Sequence, residues 1–406
     1  MADIVKINGA AAADIAKIEG AASADVVKIN GNSAAAPAAS YWVAALQEGN
    51  VAWAASGSLS GSGNWTEYDN VSGTGHPRAF DIGYGKNASG NGIYVLSRDS
   101  STKELGVSGD DVTTTHDWAN VNLAGTIDQY FVRWAVSSSA SPQGVWMTGG
   151  ASLGKLWRSI DGAQTFSQVV PPAMTGENIM AVVSDGAGNW AFGNDNKFYF
   201  SDDDGASFVS STPWASGGTP GYHRGLVYTN NSWTVIYSRT STIYARSCAA
   251  SDITDWGSEF RPTITYNSAT ADGSGTPDTT KYPLNPSENH FKANAEGVAG
   301  LICMTTNGDK GVFVFSVSGK TITNSSASSG VGGKYFDSDG TYEGVPGWQD
   351  SNTTQAITTD GAAWALACKN GDVYMSEDNG ASWIIIVNGF SVDDWNGITA
   401  PVIFPL

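Results

Sequence analysis

The chain has 406 residues, and its 21 Lys and Arg stand against 39 Asp and Glu, for a net charge of −18. That balance repels phosphate backbones and anionic lipids, so nucleic acid and membrane surfaces are excluded as natural partners. Only 15% of residues are charged while aromatics reach 11% and Gly numbers 49, a profile too apolar for disorder, poor for long helices and suited to short strands with many turns.

The first predicted element is a short repeat. Ala2-Asp-Ile-Val-Lys-Ile-Asn-Gly9 recurs as Ala13-Asp-Ile-Ala-Lys-Ile-Glu-Gly20 and Ala24-Asp-Val-Val-Lys-Ile-Asn-Gly31, so Asp3, Asp14 and Asp25 are spaced by 11. Each unit ends on a Gly that favours a turn by tolerating positive φ. Three such units cannot bury a core of their own. Residues 1–32 are therefore predicted to form an extended anchoring arm that docks Ile4, Ile7, Ile15, Ile18, Val26 and Ile29 onto another subunit, a flexible tail being the alternative. Residues 33–40, with Pro37, are its linker. The N-terminus has no basic n-region or apolar h-region, so no signal peptide is expected and synthesis is cytoplasmic. No run approaches 18 apolar residues, so no membrane insertion is expected.

From residue 41 a second, longer repeat begins. Trp146, Trp190 and Trp233 are separated by 44 and 43 residues, and each follows a turn. Trp53 and Trp364 occupy the same context, and Asn91-Gly-Ile-Tyr-Val-Leu96 and Gly300-Leu-Ile-Cys-Met304 are equivalents without the Trp. Seven units result, starting near 41, 79, 129, 178, 222, 291 and 354. Four short strands per unit predict an all-β propeller of about seven blades over 41–406, with a solenoid or a two-domain sandwich as alternatives. The stretches near 263–289 and 323–353 are predicted to be inserted loops. The tail Pro401–Leu406 either completes the first blade or contacts a neighbour.

Three turns share a stricter pattern. Ser201-Asp-Asp-Asp-Gly-Ala-Ser-Phe208 and Ser376-Glu-Asp-Asn-Gly-Ala-Ser-Trp383 match Ser-x-Asp-x-Gly-x-Ser/Thr-aromatic in full, with Asp203, Gly205, Asp378 and Gly380 at its fixed positions. Ser159-Ile-Asp-Gly-Ala-Gln-Thr-Phe166 places its Gly one residue early, after Asp161. The Asp accepts backbone N–H bonds within the turn, Gly permits positive φ, and the aromatic is expected to staple adjacent sheets. This pattern resembles the Asp-box, or BNR repeat, of sialidase-like propellers, in which the box is structural. The catalytic set of that family does not carry over. There are eight arginines, and the nearest approach to its Arg-Ile-Pro signature is Phe260-Arg261-Pro262, which lacks the Ile and follows two boxes. No catalytic residue and no enzymatic activity are expected.

The remaining titratable residues point the same way. His76, His116, His223 and His290 are isolated, and Cys248, Cys303 and Cys368 read as buried thiols. Asp337-Ser-Asp-Gly-Thr-Tyr-Glu343 lacks the length and bidentate terminal Glu of an EF-hand and reads as a turn. No metal and no cofactor are expected. Tyr335, Tyr342 and Trp348 are candidate glycan-contact aromatics, although pinning their own loops is an equally simple role.

The Asp-Ile-x-Lys-Ile-Asn-Gly units resemble I-x-K-I-N-G repeats of structural proteins from tailed bacteriophages. That resemblance covers residues 2–32 and implies a virion protein, in the tail or decorating the capsid, held through the arm by other virion proteins and present as a homo-oligomer or in many copies. Two further functions stay open: a propeller that binds a host-surface glycan or receptor, and a sialidase-like glycoside hydrolase or lectin.

Overall fold

The computed structural model describes residues 6–7, 10–11, 28–29, 32–33, 41–46, 50–55, 64–68, 79–98, 104–109, 118–123, 131–137, 143–150, 155–172, 174, 179–194, 197–213, 222–239, 242–259, 282–283, 291–293, 298–304, 310–318, 321–323, 334–335, 354–359, 363–368, 373–377, 384–387 and 395–399. The chain divides into two compact units, Met1–Ser40 and Tyr41–Leu406.

In the first unit, Lys6–Ile7 pairs with Ala10–Ala11, and Lys28–Ile29 pairs with Asn32–Ser33 in the same register. In the sequence an Asn-Gly dipeptide separates the two members of each pair, the dipeptide best able to supply the two positive φ angles of a tight hairpin. These short pairings are compatible with an arm over residues 1–32. Of the arm positions, Ile7 and Ile29 lie in these hairpins, whereas Ile4, Ile15, Ile18 and Val26 lie outside the described residues.

The second unit is a propeller with, among the described residues, seven antiparallel sheets, numbered here as blades in chain order. Blade 2 holds Ala79–Lys86, Gly92–Arg98, Glu104–Val107 and Ala119–Asn122. Blade 3 holds Phe131–Ala135, Val145–Gly149, Leu156–Ser159 and Ser167–Val169. Blade 4 holds Met180–Ser184, Trp190–Gly193, Phe198–Ser201 and Val209–Ser211. In blade 7 the strands are Thr354–Thr359, Trp364–Cys368, Val373–Ser376 and Ile384–Val387. The first strand of each sheet lies against the first strand of the next, and these inner strands close a ring.

Three blades depart from the simple pattern. In blade 1 the inner strand is Trp395–Thr399, which pairs with Tyr41–Leu46 ahead of Val51–Ala55 and Thr66–Tyr68. The first and last described strands of the propeller unit therefore close the ring within one sheet, while Pro401–Leu406 lies outside the described residues. Among the described residues blade 5 has three strands, Tyr222–Thr229, Ser232–Arg239 and Thr242–Ala249. Its fourth place is held by an irregular segment in which the Gly257 N–H donates to the Ser247 carbonyl at 2.9 Å. In blade 6, Tyr282–Pro283 and Phe291–Ala293 both pair along Val298–Met304, and Thr321–Thr323 and Lys334–Tyr335 both pair along Lys310–Ser318. The two stretches expected to be loops thus contribute short edge strands to this sheet, and among the described residues they form no additional blade.

The core lies between blades. The second-strand tryptophans Trp146, Trp190 and Trp233 are each at most 1% exposed and pack toward the preceding blade. Blade 1 corrects the sequence expectation: its second strand carries Trp42, 1% exposed and packed against blade 7. Trp53 sits in the third strand, half-buried toward blade 2 and edge-on to Tyr41. The shift arises because the closing strand comes from the far end of the chain, which moves every strand position of blade 1 outward by one.

Candidate functional site

The most elaborate local chemistry lies in the turns between third and fourth strands. In blade 4, the Ser201 hydroxyl donates to Asp203 Oδ1 at 2.7 Å and accepts the Gly205 N–H at 2.8 Å. The Asp203 carboxylate also accepts the Ser207 N–H at 2.9 Å and the Ser207 hydroxyl at 2.6 Å. Blade 3 repeats the set. Ser159 donates to Asp161 at 2.7 Å and accepts the Ala163 N–H at 3.0 Å, and Asp161 takes the N–H groups of Gln164 and Thr165 at 3.1 and 3.0 Å. Burial pulls the pKa of both carboxyls up. For Asp161, the bonds from Thr165, Ser159 and Gln164 outweigh that and hold the group below the ordinary carboxylate range. For Asp203, the bonds from Ser207, Ser201 and Ala206 do the same. In blade 7, Ser376 ends the third strand, while Asp378, Gly380 and Trp383 lie outside the described residues.

The register fixes where these turns begin. Trp146 stands opposite Ser159, Trp190 opposite Ser201 and Trp364 opposite Ser376. The indole at the start of the second strand thus marks the strand end where the aspartate turn begins.

Two consecutive residues of each turn have positive φ: Gly162 (71°) and Ala163 (68°) in blade 3, Asp204 (58°) and Gly205 (75°) in blade 4. The displaced Gly of the blade 3 turn has a packing cause. A Cβ on Gly162 would stand 2.0 Å from the Ala88 nitrogen and 2.3 Å from the Asn87 carbonyl carbon, both backbone atoms of blade 2. A Cβ on Gly205 would meet only the flexible side-chain end of Met147 at 1.6 Å and 3.3 Å, and Trp190 at 3.7 Å. Blade 4's turn is held instead by polar contacts from blade 3. Arg158 Nε donates to the Asp204 carbonyl at 2.6 Å, and the Ser137 hydroxyl donates to its carboxylate at 2.8 Å.

The aromatics that end these turns pack between blades. Phe208 lies in the core shared by blades 3 and 4, and Phe166 packs against that shared by blades 2 and 3. Sequence reasoning missed three residues in the same place. Trp65 sits between blades 7 and 1, Trp118 between blades 1 and 2, and Trp256 between blades 4 and 5. Trp256 also donates its Nε1–H to Ser211 at 3.0 Å and meets Phe198 edge-on at 4.9 Å. The available signal was an Asn or Asp directly before a Trp, as in Asn64-Trp65, Asp117-Trp118 and Asp255-Trp256.

On the ring's inner wall, Asp81 of blade 2 forms a buried ion pair with Arg133 of blade 3. The same carboxylate oxygen accepts the Val132 N–H at 3.0 Å, and the Ser97 hydroxyl donates to the Asp81 carbonyl at 3.2 Å. Gly83 and Gly85, on the same strand, leave room for Val132 and Trp134, since a Cβ at either would approach them within 2.5 Å. Nearby, the Tyr94 hydroxyl donates to the Tyr41 carbonyl, and burial pushes its pKa well above that of an ordinary phenol.

Strand direction gives the ring two unlike faces. First-to-second and third-to-fourth turns lie on one face, which carries the aspartate turns. Second-to-third turns and the connections between blades lie on the other. Tyr41 begins a second-position strand and Thr399 ends a first-position strand, so the first and last described strands of the propeller unit begin and end on the aspartate-turn face. The strands bounding 260–281 and 336–353 place the joins of those connections on the opposite face, on either side of blade 6. Tyr335 ends an outer strand there, whereas Tyr342 and Trp348 lie outside the described residues. Among the described residues, no group of three or more His, Cys, Asp or Glu is placed to hold a metal ion, and no helix is long and apolar enough to cross a membrane. Cys248 is buried opposite Trp233.

No family model matches the sequence, and no curated relative matches it. Among solved structures, a protein from Lactobacillus plantarum superposes with a TM-score of 0.52 at 11% identity, over 89% of this chain and 99% of that one. YCF48 from Cyanidioschyzon merolae gives 0.45 at 12% identity, over 78% and 86%. An ancestral GH74 enzyme gives 0.44 at 12%, over 86% of this chain and 53% of the enzyme. At such identities the likeness concerns the fold alone; the ring of antiparallel sheets is itself what makes this chain an all-β propeller.

Proposed function

We propose that this chain is a non-enzymatic structural protein of a bacteriophage particle, docked through residues 1–32 and displaying its propeller outward. The aspartate turns are read as Asp-boxes with a purely scaffolding role. The observation that carries the proposal is the polarity of the ring. The chain enters at Tyr41 on the aspartate-turn face, while the long connections flanking blade 6 join on the other. A displayed module needs its tether and its variable loops on opposite faces, since loops carry recognition on a rigid scaffold. The I-x-K-I-N-G repeats supply the virion link, and the net charge of −18 suits a protein made in many copies.

Mass spectrometry of purified particles tests the assignment. Full-length protein is expected in them, and deletion of residues 1–32 is expected to abolish incorporation while the ring keeps its unfolding midpoint. Particles that lack the protein, or that take up the deletion normally, overturn it.

A second reading, recognition of a host-surface glycan, is favoured by the described strands that bound 260–281 and 336–353, whose ends share one face beside blade 6. Those two stretches carry Tyr266, Tyr342 and Trp348, and aromatic faces stack on sugar rings. Trp348→Ala is then expected to lower binding on a glycan array without affecting assembly, and unchanged binding removes this reading.

A further inference from the structure

Among the described residues, two charged side chains carry a buried polar atom with no hydrogen-bond partner, Asp81 at Oδ1 and Arg246 at Nε. Asp81 is compensated, because its other oxygen takes Arg133 and the Val132 N–H. Arg246 is not, since no described carboxylate forms an ion pair with it.

The register of blade 5 sets its surroundings. Trp233 stands opposite Cys248, Val235 opposite Arg246 and Tyr237 opposite Tyr244, and directly opposed residues of antiparallel strands project from one face. Trp233, Val235, Tyr237 and Cys248 are fully buried in the core shared with Ala191 and Phe198 of blade 4, and Phe200, Tyr244 and Trp256 pack against it. Arg246 therefore projects from an apolar face into the seam between blades 4 and 5.

The neighbouring seam shows what such a group takes when an acceptor is at hand. Arg158 of blade 3, also half-buried on a third strand, donates its Nε–H to the Asp204 carbonyl of blade 4 at 2.6 Å. No acceptor reaches Nε of Arg246. Outside its strand, the described residues hold no regular fourth strand. Trp256 and Gly257 take that place, tied to Ser211 and Ser247, and Arg246 stays half-buried rather than sealed. A donor kept from water and given no acceptor is a standing cost to the fold. A ligand oxygen that reaches it removes that cost.

We propose that Arg246 is a carboxylate-binding residue. It takes the two oxygens of an organic acid through Nε–H and one Nη–H, the fork that a planar carboxylate matches. The apolar body of the acid lies in the seam beside Tyr244, among the aromatic side chains of blade 4. The carboxylate belongs either to a free acid or to an acidic side chain of a partner chain, and its chemistry is the same in both. The site is independent of the particle assignment and stands or falls without it.

The test uses the full chain carrying isotope-labelled arginine, with the Nε–H resonance of Arg246 assigned by its loss in Arg246→Met. Benzoate represents the free acid and N-acetyl-Phe-Glu-amide the partner side chain. At least one is expected to shift that resonance saturably at low millimolar concentration, and the tighter of the two names the source. Tryptophan fluorescence follows binding in parallel. By that measure benzamide, the same shape without the charge, should bind at least tenfold more weakly than benzoate. Arg246→Met and Arg246→Lys should each weaken binding of the acid at least tenfold, with the unfolding midpoint showing that the ring stays folded; the lysine keeps the charge and loses the fork. No saturable shift with either acid, benzamide binding as tightly as benzoate, or undiminished binding by Arg246→Met overturns the proposal. Binding by Arg246→Lys equal to that of the natural chain would reveal simple charge attraction, and overturns it as well.

Discussion

Replacing Gly162 with alanine isolates what the blade 3 turn contributes to the ring. At φ 71°, an L-residue pays about 1–2 kcal/mol for the left-handed conformation. Its Cβ would also stand 2.0 Å from the backbone nitrogen of Ala88 in the next blade, and overpacking of that kind costs about 1–3 kcal/mol. Alanine returns about 0.4–1 kcal/mol by restricting the unfolded chain. The net expectation is a loss of about 2–4 kcal/mol. Gly90→Ala is the matched control, because Gly90 has φ 83°, ends the turn that Gly162 abuts, and has nothing within 4 Å of its would-be Cβ. Its cost should stay at about 1 kcal/mol or less, from the conformational terms alone. Urea unfolding followed by tryptophan fluorescence at a common temperature measures both. The regularised double variant Gly162→Asn with Ala163→Gly restores the order of residues found in the other two turns, yet it should be as damaging as Gly162→Ala. If Gly162→Ala proves no worse than Gly90→Ala, or if the regularised turn is stabilising, the contact with Ala88 is not what displaced the glycine.

Other outcomes follow from the same geometry. Asp81→Asn leaves the Arg133 guanidinium buried without its charge partner and should cost about 3–5 kcal/mol; in a double-mutant cycle with Arg133→Met the double variant should recover most of that, and additive losses would show that the pair is not coupled. Trp256→Ala should cost about 2 kcal/mol, less than the 3–5 kcal/mol of a fully buried aromatic because Trp256 is half-buried; urea unfolding midpoints check this, and an unchanged midpoint would remove it as a link between blades 4 and 5. The depressed pKa values of Asp161 and Asp203 mean that the folded state binds these protons less readily than the unfolded chain. Their contribution is therefore present above the ordinary aspartate range near pH 4 and is lost as the pH falls below it. Asp203→Asn should lower stability at neutral pH by about 1 kcal/mol or less and make the decline between about pH 4 and pH 2 shallower; a decline of unchanged steepness would mean that this carboxylate is not one of the groups responsible.

Much of the architecture was already legible in the residues. Tryptophans 43 and 44 apart marked second strands because an aromatic just after a turn fills the gap between one sheet and the last. The aspartate turns were readable because a Ser, an Asp and a second hydroxyl at fixed spacing form a closed hydrogen-bonding set that needs nothing from elsewhere in the chain. The turn-favouring Asn-Gly steps of the arm repeats were readable for the same reason. All three are local, and local chemistry is what a linear sequence exposes.

Tertiary structure decided the non-local features. Trp42 rather than Trp53 is blade 1's second-strand tryptophan because a strand more than 300 residues away in sequence takes the inner position. Ala163 bears a positive φ because its neighbour had to be the residue without a Cβ, and that demand comes from the backbone of a different blade. Trp118 and Trp256 could be seen as aromatic residues but not as links between sheets until the ring set those sheets side by side. The division into two faces belongs to the same class: it depends on which end of each strand meets which connection, and only the closed ring fixes that.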